Sequence, residues 1–225
     1  MIVHDDIPLS VFLSANAADV NELMRALAFV ESEEAIFGKR HACVMTRTSA
    51  ESEEPDMKLT EILLAELDRE APRSRRALGE VPDGKYDWKP HEKSMVFGYL
   101  TQLVATMPSW AAMGITRNEL DVAPASGSAM SHEKLETSAA LVGALDKSVA
   151  EARAALEGTT DEFLMTSWKL LARGQVVQDT PRWVMIQDTL NHWAHHRGQM
   201  TVYLRLLGAT VPSIYGPSAD DRQFR

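Results

Sequence analysis

The chain has 225 residues, of which 45% are hydrophobic, 24% charged and 7% aromatic, with a formal net charge of −9. An apolar fraction of this size supports a packed core and excludes full-length disorder, a collagen-like repeat and a coiled-coil rod, and the length suits one domain with or without an appendage. The acidic balance excludes a general nucleic-acid binder, which needs a basic face for phosphates, and the one cysteine, Cys43, excludes an internal disulfide and a thiolate metal cluster.

The negative charge is concentrated at the beginning of the chain. Residues 1–56 hold eleven acidic side chains against four basic ones, a net of −7, and the remaining 169 residues carry only −2. Asp5 and Asp6 stand where a signal peptide would carry basic residues. No apolar run approaches the roughly 20 residues that span a bilayer, so a cytoplasmic protein is expected, away from the membrane. Val20, Leu23, Met24, Leu27 and Val30 follow 3-4 spacing, which predicts one short helix in 17–30. The polar run Thr46–Asp56 has no such period and reads as linker or disorder. Residues 1–56 are thus expected to be an acidic extension, native or added by an upstream start codon, and residues 57–225 the folded domain.

From Leu59 the residues Leu59, Ile62, Leu63 and Leu67 form one helical stripe, which Pro72 should end or kink. Residues 79–90 form a connection. Ser94 is the expected N-cap of a second helix bearing Met95, Tyr99, Leu100, Leu103, Val104 and Met107, with Pro108 at its end or at a kink. Asp121–Ser131 reads as a loop. A third helix carries Leu135, Ala139, Val142, Leu145, Val149, Ala152 and Leu156 and stops at Gly158. Phe163–Val177 fits either a short hairpin around Arg173-Gly174 or an irregular loop. The fourth helix should be capped by Thr180, have Pro181 in its first turn and close at Gly208. Four amphipathic helices without a strand series predict an all-α four-helix bundle.

The last helix carries His192, His195 and His196. His192 and His196 are four residues apart, so both imidazoles project from one helical face and can share a metal ion. His195 lies about 60° away by helical periodicity. Asp188 shares the face of His192, but Asp188 and His196 are about 12 Å apart along the axis, too far to ligate one ion together. Asp188, with His195, is therefore expected to orient or tune an imidazole rather than complete the site. Arg197 could bind an anionic substrate or pair with Asp188 or another carboxylate. Tyr203 and Arg205 are expected to anchor the segment around Tyr215, and Asp220-Asp221 to be a solvated tail. The five tryptophans read as core and rim packing. No local pattern suggests a Ser/His/Asp nucleophile.

Four segments resemble the DinB-like (DinB/YfiT) metalloprotein superfamily of bacterial four-helix bundles: Tyr86–Ser94, Met95–Pro108, Asn191–Leu207 and Val211–Asp220, which together extend over nearly all of 57–225. The resemblance implies a divalent ion, often nickel or zinc, held by the two histidines of the last helix and one of the second. It also implies thiol-transfer or hydrolytic chemistry, sometimes with a low-molecular-weight thiol cofactor, on a small-molecule substrate, and dimers are common in such bundles. Set on the family pattern, this chain has Leu103 at the second-helix ligand position. Gln102 is about 100° round the helix, and His91 lies before it. Metal binding is accordingly expected to be weak. The alternative is a non-catalytic bundle that binds a small molecule or partner, with Leu103 filling the vacated space.

Overall fold

The computed structural model describes residues 57–124 and 134–222, and the acidic extension and its expected helix lie outside them. The described elements are α1 (Leu59–Gly79), α2 (Phe97–Thr106), α3 (Ser109–Thr116), β1 (Glu119–Asp121), α4 (Ser138–Glu157), α5 (Asp161–Leu164), β2 (Ser167–Ala172), β3 (Gln175–Pro181) and α6 (Arg182–Leu206). The strands form one sheet in the order β1-β2-β3. The fold is therefore mostly helical with a small sheet, which corrects the all-α expectation. β2 and β3 settle the open reading of 163–177 as a hairpin. Its turn needs left-handed backbone at Arg173 (φ 53°) and Gly174 (φ 75°), which glycine adopts without steric cost.

The described residues fall into two compact units. The larger comprises 58–120, 134–169 and 179–222, and the smaller comprises 57, 121–124 and 170–178. In the smaller unit the Asp121 carboxylate accepts hydrogen bonds from the backbone N–H groups of Arg173 (3.1 Å) and Gly174 (2.8 Å), fixing the turn.

In the larger unit α1 packs on α4 and α6, and both α2 and α3 also pack on those two helices. Its core holds Leu63, Leu67, Leu78, Phe97, Leu100, Val104, Leu141, Leu145, Leu156, Ile186, Trp193 and Leu204. Pro72 neither ends nor interrupts α1, which runs on to Gly79. The buried row of α1 is Leu63, Leu67, Glu70, Ser74, Ala77 and Leu78, while Ile62 of the expected stripe is exposed. The first two amides of α1 have no partner within the helix. They are met from far along the chain, where Asp161 accepts from Leu59 N (2.7 Å) and Thr60 N (3.0 Å).

The second helix begins two residues later than Ser94 suggests. Val96 is its N-cap without a side-chain bond, and the cap comes from an earlier loop: Phe97 N donates to Trp88 O (2.7 Å) and Gly98 N to Tyr86 O (2.8 Å). α4 is capped by Thr137, which accepts from Ala140 N, so Leu135 precedes the helix, and Gly158 ends it as expected. Thr180 lies in β3 and does not cap α6, whose N-cap position is Pro181. Gly208 (φ 73°) does close α6, with Ala209 N donating to Leu204 O and Gly208 N to Arg205 O, a Schellman arrangement.

Pro108 shapes the contact between α2 and α6. The backbone stays helical through Met107 and Pro108, and α3 resumes at once. A proline has no N–H for the carbonyl four residues back, which here is that of Val104. That carbonyl instead accepts the indole N–H of Trp193 on α6 (2.8 Å). Ser148 of α4 mends the same break, accepting from Ser109 N (2.8 Å) and donating to Thr106 O (2.9 Å).

Candidate functional site

Three contacts set the register between α2–α3 and α6: the Tyr203 hydroxyl on Met95 O, Trp193 on Val104 O, and Arg182 on Gly114 O. The pairs move in opposite directions along the chain, so the helices run antiparallel, and one step along one matches about one step along the other. On this register Leu103 stands level with about residue 194, midway between His192 and His196.

The α6 face carries the histidines as their spacing predicts. The ring centroids of His192 and His196 are 4.5 Å apart, and His195 is 6.4 Å from His192 and 5.3 Å from His196. His196 is buried, His192 half-buried and His195 exposed. Trp110 of α3 lies edge-on to His192 at 6.1 Å. Burial pushes the His192 pKa down to about 4, and the charges of His196 and His195 act in the same direction. His192 is thus neutral at physiological pH, with a lone pair available to a ligand.

His196 Nδ1 is 2.8 Å from the side-chain oxygen of Gln199. With that oxygen accepting, the proton is on Nδ1 and the Nε2 lone pair faces away from Gln199, as in metal-ligating histidines held by a partner on the other ring nitrogen. Sequence reading missed Gln199, although a residue three positions after a histidine on a helix is a neighbour. Asp188 is exposed by surface area, yet the protein around its carboxyl desolvates it and raises its pKa. Among the described residues, no three or more His, Cys, Asp or Glu side chains form a metal-holding group. Leu103 is buried, and His91 is exposed in the loop before α2.

Arg197 faces away from this chemistry. It is fully buried and pairs with Glu70 of α1, which is 2% exposed. Arg197 also donates to Ser74 Oγ (3.0 Å) and to the Tyr215 hydroxyl. Tyr215 in turn donates to Glu70 (2.8 Å), and Arg73 pairs with the same carboxylate. Burial alone would raise the Glu70 pKa, but the Tyr215 hydrogen bond, Arg197 and Arg73 outweigh it and hold the pKa below its usual value. The partner of Arg197 is thus a carboxylate, and the carboxylate is Glu70. Arg205 anchors the C-terminal segment through Asp220 (2.7 Å). Asp220 and Asp221 are not a solvated tail, because they accept from the backbone N–H groups of Val211 and Ser213. Tyr203 anchors the loop before α2 instead, through Met95 O and edge-on packing against Trp88. Among the described residues, no helix is long and apolar enough to cross a membrane.

The DinB family model matches residues 55–223. A crystal structure of a DinB-like protein from Bacillus cereus ATCC 10987 superposes with a TM-score of 0.54 at 20% identity, covering 68% of this chain and 95% of that one. The DinB-like protein YjoA of Bacillus subtilis gives 0.52 at 20% identity, covering 72% and 99%. The uncharacterised protein YrdA of Bacillus subtilis is 46% identical over 44 residues, which is 20% of this chain and 26% of that relative's length.

Proposed function

The chain belongs to the DinB family, and from that premise we propose that it is a four-helix bundle in which α2 and α3 together make one helix interrupted at Pro108. We propose further that His192 and His196 take a divalent ion of the nickel or zinc kind in an open site, serving thiol transfer or hydrolysis on a small molecule. The observation that supports this is the state of the pair: two imidazoles on one helical face, His192 neutral and His196 held through Nδ1. A histidine that is already neutral has no proton to lose on binding a cation.

The donor set is short of a closed site, since zinc takes three or four protein ligands. Such an ion, when bound, lowers the pKa of a thiol or water toward neutrality. The chain's own part is to hold the imidazoles. Gln199 fixes the tautomer of His196, Trp110 packs against His192, and Trp193 ties α6 to α2 at this level. Asp188 and His195 tune the pair from its edge.

Equilibrium dialysis against nickel or zinc tests the reading. One ion per chain is expected, lost in His192→Ala and His196→Ala. Uptake that both variants retain would sink it. The buried Leu103 supports a second reading, a bundle that binds a small molecule without metal. That reading predicts no uptake by the wild-type chain and uptake by Leu103→His.

A further inference from the structure

The start of α6 holds a second set of polar groups, about 15 Å along the helix from His192 and independent of the histidine pair. Arg182 is 3% exposed, and its guanidinium donates to Gly114 O, Arg117 O, Asn118 Oδ1 and Thr166 Oγ1, all of them neutral acceptors. Its Cζ sits over the Phe163 ring at 4.4 Å. Among the described residues no carboxylate pairs with it, whereas the similarly buried Arg197 has Glu70. A buried charge without its counter-charge is costly.

Two more polar groups share the face of the strands on which this guanidinium lies. Arg182 N donates to Thr166 O (2.9 Å), which sets 182 opposite 166 and therefore Thr180 opposite Trp168, two residues further along each strand. Ser167 and Asp179 hydrogen-bond to each other on the exposed face, so alternation turns Thr166, Trp168 and Thr180 to the other face. The bond from Arg182 Nε to Thr166 Oγ1 (2.9 Å) brings the guanidinium to that same face. There the indole Nε1 of Trp168, a residue 3% exposed, and the Thr180 hydroxyl are buried, and among the described residues neither has a hydrogen-bond partner.

We propose that this face binds a small carboxylate, which accepts from Trp168 Nε1 and the Thr180 hydroxyl and balances the charge of Arg182. The ligand must accept, because an indole N–H only donates. It must carry one negative charge, because one guanidinium is uncompensated. The donors number three: the indole, the hydroxyl and the fifth N–H of Arg182, on Nη2, which its four bonds leave over. A carboxylate has two oxygens and about four acceptor sites for them. Cα atoms directly opposite in such a ladder are about 5.5 Å apart, a span that one carboxylate between two side chains can bridge. Phosphate near pH 7 carries more than one charge and would leave a buried negative excess. Water would satisfy the two orphaned groups but not the charge.

Formate is the probe. The full chain is titrated with sodium formate at an ionic strength held constant with chloride, and followed by its indole N–H resonances and its melting temperature. The expected result is a saturable shift of the Trp168 resonance, identified by its loss in Trp168→Phe, and a rise in melting temperature that chloride does not give. Thr180→Val is nearly isosteric and should weaken formate binding by at least roughly tenfold, the lower end of what a hydrogen bond to a charged group contributes. Without formate that variant should melt at the wild-type temperature or above, since its hydroxyl has no partner to lose, and a lower temperature would overturn the premise that the hydroxyl is orphaned. His192→Ala should bind formate as the wild type does, and a loss there would move the anion to the histidines and overturn the proposal. A Trp168 resonance that formate does not move would leave water as the occupant and overturn it too. The same shift with chloride would overturn the carboxylate class, and undiminished binding by Thr180→Val would overturn the place given to the ligand.

Discussion

Glu70→Gln is the most demanding test of how α6 is held. Glu70 and Arg197 are almost fully buried, and Arg197, Tyr215 and Arg73 all donate to the one carboxylate. Glutamine is nearly the same size, so packing is preserved, but it brings an N–H₂ against two guanidinium groups and removes the compensating charge. Breaking one side of a buried ion pair costs about 3–5 kcal/mol, which is a fifth or more of the stability of an ordinary domain at roughly 5–15 kcal/mol. Part of the charge of Arg73 is screened by solvent, which places the expectation at the lower end, about 3 kcal/mol. The pH dependence supplies a second reading of the same residue. The folded pKa of Glu70 is depressed, so its contribution is full above the unfolded value near 4.5 and is lost as the pH falls through the lower folded value. Urea unfolding followed by tryptophan fluorescence at pH 7 and at several points below 4.5 measures both, with buried Trp193 among the reporters. The wild type should lose stability across the acid range, and Glu70→Gln should start about 3 kcal/mol lower and decline less. A loss under about 1 kcal/mol at pH 7, or an unchanged acid slope, would refute the claim that this carboxylate is buried, ionised and required.

Tyr215→Phe removes one hydrogen bond to the same carboxylate and should cost about 1.5 kcal/mol in that assay. Arg182 is buried and donates to Gly114 O, Arg117 O, Asn118 Oδ1 and Thr166 Oγ1. Arg182→Met should destabilise by about 3 kcal/mol, because several acceptors lose their donor together, and a neutral result in thermal unfolding would contradict that network. Asp161→Ala should lower the melting temperature and speed amide exchange at Leu59 and Thr60, whose N–H groups it accepts; unchanged exchange there would remove the long-range cap. Gly98→Ala places a Cβ 2.1 Å from the Tyr86 ring, so overpacking of about 1–3 kcal/mol is expected from chemical denaturation. His192 has a folded pKa of about 4 against the ordinary value of 6.5, so metal-free protein should lose stability as the pH falls from 6.5 toward 4. His192→Gln should flatten that slope, and an unaltered slope would assign it to another group.

What could be read in the sequence depended on how local its cause was. The last part of α4 and most of α6 were visible because a 3-4 apolar spacing is a local consequence of burying one helical face, and Gly208 was visible because a left-handed closing residue favours glycine. The start of α2 was misplaced because its cap comes from the backbone of Tyr86 and Trp88, and backbone atoms have no signature in a sequence. Glu70 was invisible for a different reason. A glutamate within a helix reads as a solvated residue, and its partner Arg197 lies 127 positions away. The histidine pair could be found by spacing alone, whereas its opposite wall could not. The level of Leu103 against the pair follows from Pro108, which frees the Val104 carbonyl, and from Trp193, which takes it. A residue that reads as a helix breaker thus makes possible one of the three bonds that set the register of α2 against α6. Replacing Pro108 by alanine tests this. With an N–H restored, the Val104 carbonyl has an intrahelical donor, and the indole of Trp193 must share it or lose it. The expected result is a shifted Trp193 indole N–H resonance and weaker nickel or zinc binding, even though alanine is the better helix former. An unmoved resonance and unchanged affinity would mean that the two helices hold their register without that bond.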